Sequence, residues 1–379
     1  MATFTKHNTG WEYRYYYKDP ITKRKREKSQ RGFAKKTDAE NALNEFKRQL
    51  ELGLEVGDML LKDYLELWIT EYKKGTIRKN TLILHEQNIE NHIIPYFKNL
   101  SLREIKPIMY QKFINSLSTK YSRRTVEIIH GTMYSALDKA VIIGKLERNP
   151  CIGVTIKGEK KKMNDIKFID SSDVPLFLQV AYKYGYIYWI FFKVLIETGM
   201  RKGEAAALQW SDIDFKEETI NINKTLDFQA KEGEPLFGDV KTFNSTRIIK
   251  MSKNLANELK EHAKYQNRNK LNLNSQYRHD LNLVLCRDNG DIMPKSTLFN
   301  AMTRILDKAK LPQIPIHGLR HTHAVIMLEA GADLKYVQTR LGHGSIQITS
   351  DVYTHVSKKI EARNMDKYEE KISSIMTEK

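Results

Sequence analysis

Five short stretches in the second half of the chain carry side chains suited to phosphate chemistry. Arg201 stands in Glu197-Thr198-Gly199-Met200-Arg201-Lys202-Gly203-Glu204, and Lys241 in Val240-Lys241-Thr242. The run His317-Gly318-Leu319-Arg320-His321-Thr322 follows, then Leu341-Gly342-His343, then Tyr353. Singly these read blandly, since a lone Arg is ordinarily a surface charge and a lone Tyr ordinarily core. Together they supply two guanidiniums, an amine, imidazoles and a phenol, which is what phosphodiester transfer needs without a metal. Charge develops on the non-bridging oxygens of the phosphate, and two bidentate Arg groups can match it. A phenol is a suitable nucleophile because a phosphotyrosyl bond keeps the energy of the phosphodiester it replaces. Rejoining then needs no nucleotide, in keeping with the absence of a GxxxxGK[ST] loop. A protonated Lys can give a proton to the leaving 5′ oxygen, and a His can take one from the tyrosine. His317 and His321 stand four apart, but no Glu follows His317 as a zinc-protease motif requires, so no metal and no other cofactor is expected.

These residues need a scaffold of mixed elements. Ser171 or Ser172 is placed to cap a helix, and Trp189 to Glu197 is an apolar helix that Thr198-Gly199 ends, leaving Arg201 just beyond it. Thr219 to Asp227 and Thr246 to Met251 alternate as strands, with Lys241 in the loop between them. Lys224, Lys231 and Lys250 lie in the same region and are the alternatives for the reactive amine. Helices follow near Leu255–Tyr265, Lys295–Ala309, Gly318–Ala330, Asp333–Leu341 and Ser345–His355. The polar run Lys157–Lys167 reads as an interdomain linker. Ahead of it, Leu61, Tyr64, Leu65 and Trp68 open a helix and Thr81–His92 forms a second. Ile108–Leu117 and Arg124–Ile143 form two more, with Pro95 and Pro107 punctuating the ends. Basic clusters at helix starts and loops here, Lys74, Arg78, Lys79, Arg123 and Arg124, suit phosphate contacts.

Charge points to the partner. The chain has 379 residues with 63 Lys+Arg against 46 Asp+Glu, a formal net charge of +17. Such a surplus favours a polyanion, nucleic acid before an acidic membrane. It is concentrated at the start, where residues 1–37 hold eleven basic residues against Glu12, Asp19 and Glu27. Trp11, Tyr13, Tyr15 and Tyr17 alternate at period two, so this stretch reads as a strand rather than a disordered arm. Lys18-Asp19-Pro20 turns the chain, Lys23–Ser29 returns it, and Thr37 or Asp38 caps a helix to about Leu52. Ala42, Leu43, Phe46 and Leu50 share that helix's inner face. The outer face of the sheet is expected to show Arg14, Tyr16 and Lys18 with the alternate basic residues Arg24, Arg26 and Lys28 of the returning strand. A basic ribbon of this kind fits the major groove. No run of about 18 apolar residues occurs and the N-terminus has no apolar h-region, so neither a membrane span nor a secretory signal is expected. Cys151 and Cys286 are the only cysteines, which excludes a disulfide scaffold and fits a reducing cytosol.

In order and in context, Arg201, Lys241, the His317-x-x-Arg320 box, His343 and Tyr353 resemble the catalytic set of the tyrosine recombinase (phage integrase) family. The resemblance extends to nearly the whole chain, since the N-terminal ribbon is similar to the arm-site-binding domain of integrases from temperate phages and conjugative transposons. It implies a mostly α fold with small β-sheets (α+β) in three domains. These are residues 1–57, a three-stranded sheet plus helix for arm sites; 58–156, a helical core-binding domain; and 168–379, a catalytic domain with a tail helix, after a linker at 157–167. It implies that Tyr353 attacks the scissile phosphate to form a 3′-phosphotyrosyl link while Arg201 and Arg320 clamp its oxygens. Lys241 would protonate the leaving group, His317 would exchange a proton with Tyr353, and His343 would hydrogen-bond the phosphate. Glu204 would buttress Arg201. The implied function is integration and excision of a mobile element by a homotetramer on double-stranded DNA with core and arm sites. A DNA-bending host factor and an excision factor would be further partners, in the cytoplasm and nucleoid of a bacterial host. A chromosome-resolving recombinase, a type IB topoisomerase and a catalytically silent DNA-binding regulator on the same scaffold are the alternatives.

Overall fold

The computed structural model describes residues 2–18, 25–51, 59–159, 167–239 and 246–342, with positions 365, 368, 369, 372, 373, 375 and 376 of the tail. Arg24, Lys241, His343, Tyr353 and the helix expected at Ser345–His355 lie outside the described residues. The fold is mostly helical with small antiparallel sheets, and it divides into two compact units, Met1–Lys161 and Lys162–Lys379. No helix among the described residues is long and apolar enough to cross a membrane.

The first unit opens with an antiparallel sheet, β1 (Ala2–His7), β2 (Gly10–Lys18) and β3 (Lys25–Phe33), followed by helix α1 (Lys36–Glu51). The aromatic alternation of β2 does what period two requires. Tyr13, Tyr15 and Tyr17 turn toward α1, where Tyr13, Leu43 and Phe46 are buried and Phe46 meets both Tyr15 and Tyr17 edge-on. Arg14, Tyr16 and Lys18 are exposed on the other face. The register corrects the expectation for β3. Lys28 pairs with Tyr15 and Arg26 with Tyr17, so both lie on the helix side. Lys25, Glu27 and Ser29 are the residues that share the outer face with Lys18, Tyr16 and Arg14. A shift of one residue moves every side chain of a strand to the opposite face, and the turn length that sets this register is not written in strand periodicity.

The four helices expected between Leu61 and Ile143 are present with one difference. α2 (Leu61–Leu67) runs on as a π-helical turn, Trp68–Lys73, and α3 (Lys79–Asn88) runs through a second one, Ile89–Ile93, into α4 (Ile94–Phe97). Pro95 therefore sits at the start of a helical turn rather than ending one, because the wider π turn tolerates its missing N–H. α5 (Pro107–Ser118) and α6 (Arg123–Ile142) complete a core of Leu61, Tyr64, Trp68, Phe97, Phe113 and Met133.

In the second unit a 3₁₀ turn at Ser171–Asp173 leads into α7 (Val174–Tyr184), and neither serine caps the helix. α8 (Tyr186–Thr198) and the short α9 (Lys202–Ala206) follow. The strand expected at Thr219–Asp227 is broken at Asn223. β5 (Thr219–Ile222) pairs with β4 (Ile213–Asp214) and β8 (Arg247–Lys250), whereas β6 (Lys224–Leu226) pairs with β7 (Phe237–Asp239). Alternation continues across such a break, so the change of partner leaves no mark in the pattern. α10 (Lys253–Leu273), α11 (Lys295–Ala309), α12 (Gly318–Glu329) and α13 (Leu334–Leu341) complete the unit. Its core centres on Phe177, Phe191, Phe192, Leu195, Leu255, Leu298 and Leu319.

Candidate active site

Helix α8 ends where its sequence says it should. Gly199 adopts φ +67, and a Cβ there would collide with Leu341 and His323, so glycine is required both by the backbone and by the approach of α12 and α13. The turn delivers Arg201 to the start of α9. The buried Glu204 three residues on accepts from the Arg201 backbone N–H at 2.9 Å and from its guanidinium Nη1 at 2.6 Å. Burial alone would raise the Glu204 pKa, but Arg247 and Arg201 hold it below the ordinary carboxylate value. It is therefore an anion at the base of the site.

Arg320 enters from the first turn of α12 and is 1% exposed. Its Nη1 donates to Gly199 O at 2.7 Å and its Nη2 to Leu341 O at 2.5 Å. Burial, and then the neighbouring Arg201, push its pKa down to about 9, which leaves it a cation at neutral pH. Arg201 is more open, with 28% of its side chain exposed, and its Nη2 donates to Gly342 O at 3.1 Å. Residues 119 apart in sequence thus place two guanidiniums on adjacent carbonyls. A third, Arg247 on β8, donates to Glu204 Oε2 at 2.9 Å. Three arginines around one carboxylate leave this cluster with a positive surplus, an environment built for an anion.

His317 stands just before α12, its ring edge-on to His321 at 5.0 Å between centroids. Burial first, then the charges of His321, Arg320 and Arg201, lower its pKa to about 4, so at neutral pH it is a neutral imidazole. Among the described residues His321 Nδ1 is buried with no hydrogen-bond partner. His323 is structural: Nδ1 lies 2.7 Å from Ile196 O and must donate to it, which leaves Nε2 to accept from Arg340 Nε at 3.1 Å. Those partners fix the neutral tautomer.

The structure thus brings Arg201, Arg320 and His317 together. Lys241 lies in sequence between Asp239, which ends β7, and Arg247, which opens β8. Two alternatives for the amine are held elsewhere, Lys224 by Asp212 at 2.6 Å and Lys250 by Glu217 O at 2.7 Å. In the first unit Lys74, Arg78, Lys79 and Arg124 are exposed at helix ends. Arg123, by contrast, is spent within the unit, since Nη1 donates to Ile156 O at 2.7 Å and Gly158 O at 3.0 Å while Nε binds Glu127. Sequence reasoning missed Arg247. Its signal was a charge in phase with buried Ile249 and Met251 on an alternating strand.

Three family models match in succession. Residues 3–50 match the Arm DNA-binding domain, 60–118 the phage integrase N-terminal SAM-like domain, and 167–359 the phage integrase family. The chain belongs to the phage integrase family. It is a tyrosine-type site-specific recombinase, a DNA strand-breaking and rejoining enzyme. Among its relatives is a tyrosine recombinase XerC-like protein of Caldanaerobacter subterraneus subsp. tengcongensis, 29% identical over 86% of this chain and 87% of the relative. The ICEBs1 integrase of Bacillus subtilis is 28% identical over 74% of this chain and 75% of that protein. Of solved structures, the Tn1549 transposon integrase in complex with a circular intermediate DNA shares the fold at 18% identity, with a TM-score of 0.66 over 82% of this chain and 99% of that one.

Proposed function

We propose that this recombinase integrates and excises a mobile genetic element. Tyr353 attacks the scissile phosphate and forms a 3′-phosphotyrosyl bond as the 5′ oxygen leaves. Arg201 and Arg320 neutralise the non-bridging oxygens, Lys241 protonates the leaving 5′ oxygen, and His317 accepts the tyrosine proton. His343 hydrogen-bonds the phosphate. The observation that carries this reading is the pair of guanidiniums on adjacent carbonyls beside a neutral His317, a preorganised cationic site that needs no reorganisation as charge develops. Attack by the neutral phenol also requires a proton acceptor. His317 is unprotonated at neutral pH, but the burial and neighbouring cations that lower its pKa also weaken it as a base until the negative charge of the phosphate offsets them.

The arm domain supports an element-encoded enzyme with two kinds of DNA site, as the integrase names of two of the relatives also do. The exposed Arg14, Tyr16, Lys18 and Lys25 of its outer face would read the arm site, while Lys74, Arg78, Lys79 and Arg124 would hold the core site. In the tail, Met365, Tyr368, Ile375 and Met376 are more than half exposed, apolar surface suited to a neighbouring protomer in a homotetramer. The XerC-like relative favours a second reading, a chromosome-resolving recombinase. Recombination of paired plasmids separates the two. An integrase recombines efficiently only when one partner carries arm sites beside its core site, whereas equal yields from two bare core sites would establish the resolvase.

A further inference from the structure

The last carbonyls of α13, from which the chain runs on to Tyr353, are held by three different arginines. Arg247 Nε donates to Arg340 O at 2.7 Å, Arg320 Nη2 to Leu341 O at 2.5 Å and Arg201 Nη2 to Gly342 O at 3.1 Å. A helix C-terminus leaves carbonyls without intrahelical partners and carries partial negative charge, so one cation would satisfy its electrostatics. Three forks on three consecutive carbonyls also fix its position and twist. The side chain of Arg340 fastens the same turn to its surroundings, through His323 Nε2 at 3.1 Å, Lys250 O on β8 at 2.8 Å and Glu197 O on α8 at 3.3 Å.

Arg201 and Arg320 have places in the reaction proposed above, but Arg247 has none. Only 7% of its side chain is exposed, which removes it from DNA, and a buried guanidinium is costly unless fully engaged. One arm of its fork binds Glu204 Oε2, and the other Glu204 oxygen binds Arg201. A continuous hydrogen-bonded path therefore joins the Arg201 guanidinium, the Glu204 carboxylate, the Arg247 fork and the Arg340 carbonyl, beside the direct bond from Arg201 to Gly342 O.

We propose that Arg247 is a positioning residue for strand cleavage: through Glu204 and the Arg340 carbonyl it holds Arg201 in one frame with the helix end that leads to the tyrosine. The proposal rests on the roles given above to Arg201 and Tyr353. A lysine in its place reaches Glu204 or the carbonyl, but a point charge cannot span both.

The test uses the full chain with Arg247→Met and Arg247→Lys, and three readouts: affinity for a core-site duplex, single-turnover cleavage of a nicked core site, and amide hydrogen exchange without DNA. Arg247→Met should bind the duplex within about threefold of the parent and cleave about 100-fold more slowly, the scale of a misplaced reacting group. Its Leu341 and Gly342 amides should lose protection while those in the middle of α12 keep theirs. Arg247→Lys, which keeps the charge beside Glu204, should fall between the two in both rate and exchange, and decides the matter if Arg247→Met fails to fold. Parental cleavage with unchanged exchange would overturn the proposal, as would a loss of affinity equal to the loss of rate. If the parent itself forms no tyrosyl adduct, the catalytic reading fails. The exchange comparison, made without DNA, still decides whether Arg247 holds the helix end.

Discussion

Arg320 keeps a positive charge with 1% of its surface exposed, and Glu204 keeps a negative one at 2% of its side chain. Charges so placed are retained at a cost in stability, and in the proposed reaction what they supply is a fixed field at the phosphate. Arg201→Lys and Arg320→Lys should each slow single-turnover cleavage roughly 10²–10³-fold while weakening core-site binding only modestly, because many other basic residues share the backbone contacts. Rapid-quench cleavage beside a binding titration checks the separation. Glu204→Gln removes the anion between Arg201 and Arg247 and should cost about 3 kcal/mol in urea unfolding of the catalytic unit. The histidines add a pH dependence. Burial, first among its causes, lowers the pKa of His317 to about 4 and of His323 to about 3, so the folded state binds fewer protons than the unfolded state. Their contribution is complete above about pH 6.5 and is lost as the pH falls toward 4 and then 3. Urea midpoints should drop between pH 7 and pH 4.5, and His323→Gln should reduce that drop.

Among the elements, the turn after α8 governs the site, because Gly199 sets the path of Arg201 and its carbonyl takes Arg320. Gly199→Ala should cost at least ~1–2 kcal/mol from the left-handed backbone alone, more from contact with Leu341 and His323, and should lower cleavage and thermal stability together. That turn was legible in the sequence because glycine after an apolar helix has a single local meaning. Helices α11, α12 and α13 were legible within a residue or so because their periodicity is local, α13 with the added cap of Asp333. Pairing was not legible. The break at Asn223, the β7 partner of β6 and the side of the sheet that Arg26 and Lys28 occupy all depend on which backbone lies alongside, information that no window of one strand contains. In the site the same division holds. Arg201 with Glu204 and His317 with Arg320 stand out by their spacing at two helix starts, whereas Arg247 acquires its meaning only when β8 meets the end of α13.

For the whole molecule, a net charge of +17 and a basic N-terminal sheet imply binding dominated by phosphate contacts, with affinity falling steeply as salt rises. A fragment beginning near Met59 should still cleave a core site but lose recombination that depends on arm sites, and footprints of the two parts should fall on different sequences. The proposed function turns on one chemical event, transfer of a DNA phosphate to Tyr353. The direct measurement incubates the protein in EDTA with a core-site duplex nicked beside the scissile phosphate, resolves the products on a denaturing gel, and maps the adduct by mass spectrometry. A tyrosyl mechanism gives a covalent protein–DNA band whose modified peptide contains Tyr353, and Tyr353→Phe binds the duplex normally without forming it. An adduct that survives that substitution, maps to another residue, or vanishes with EDTA would contradict the mechanism.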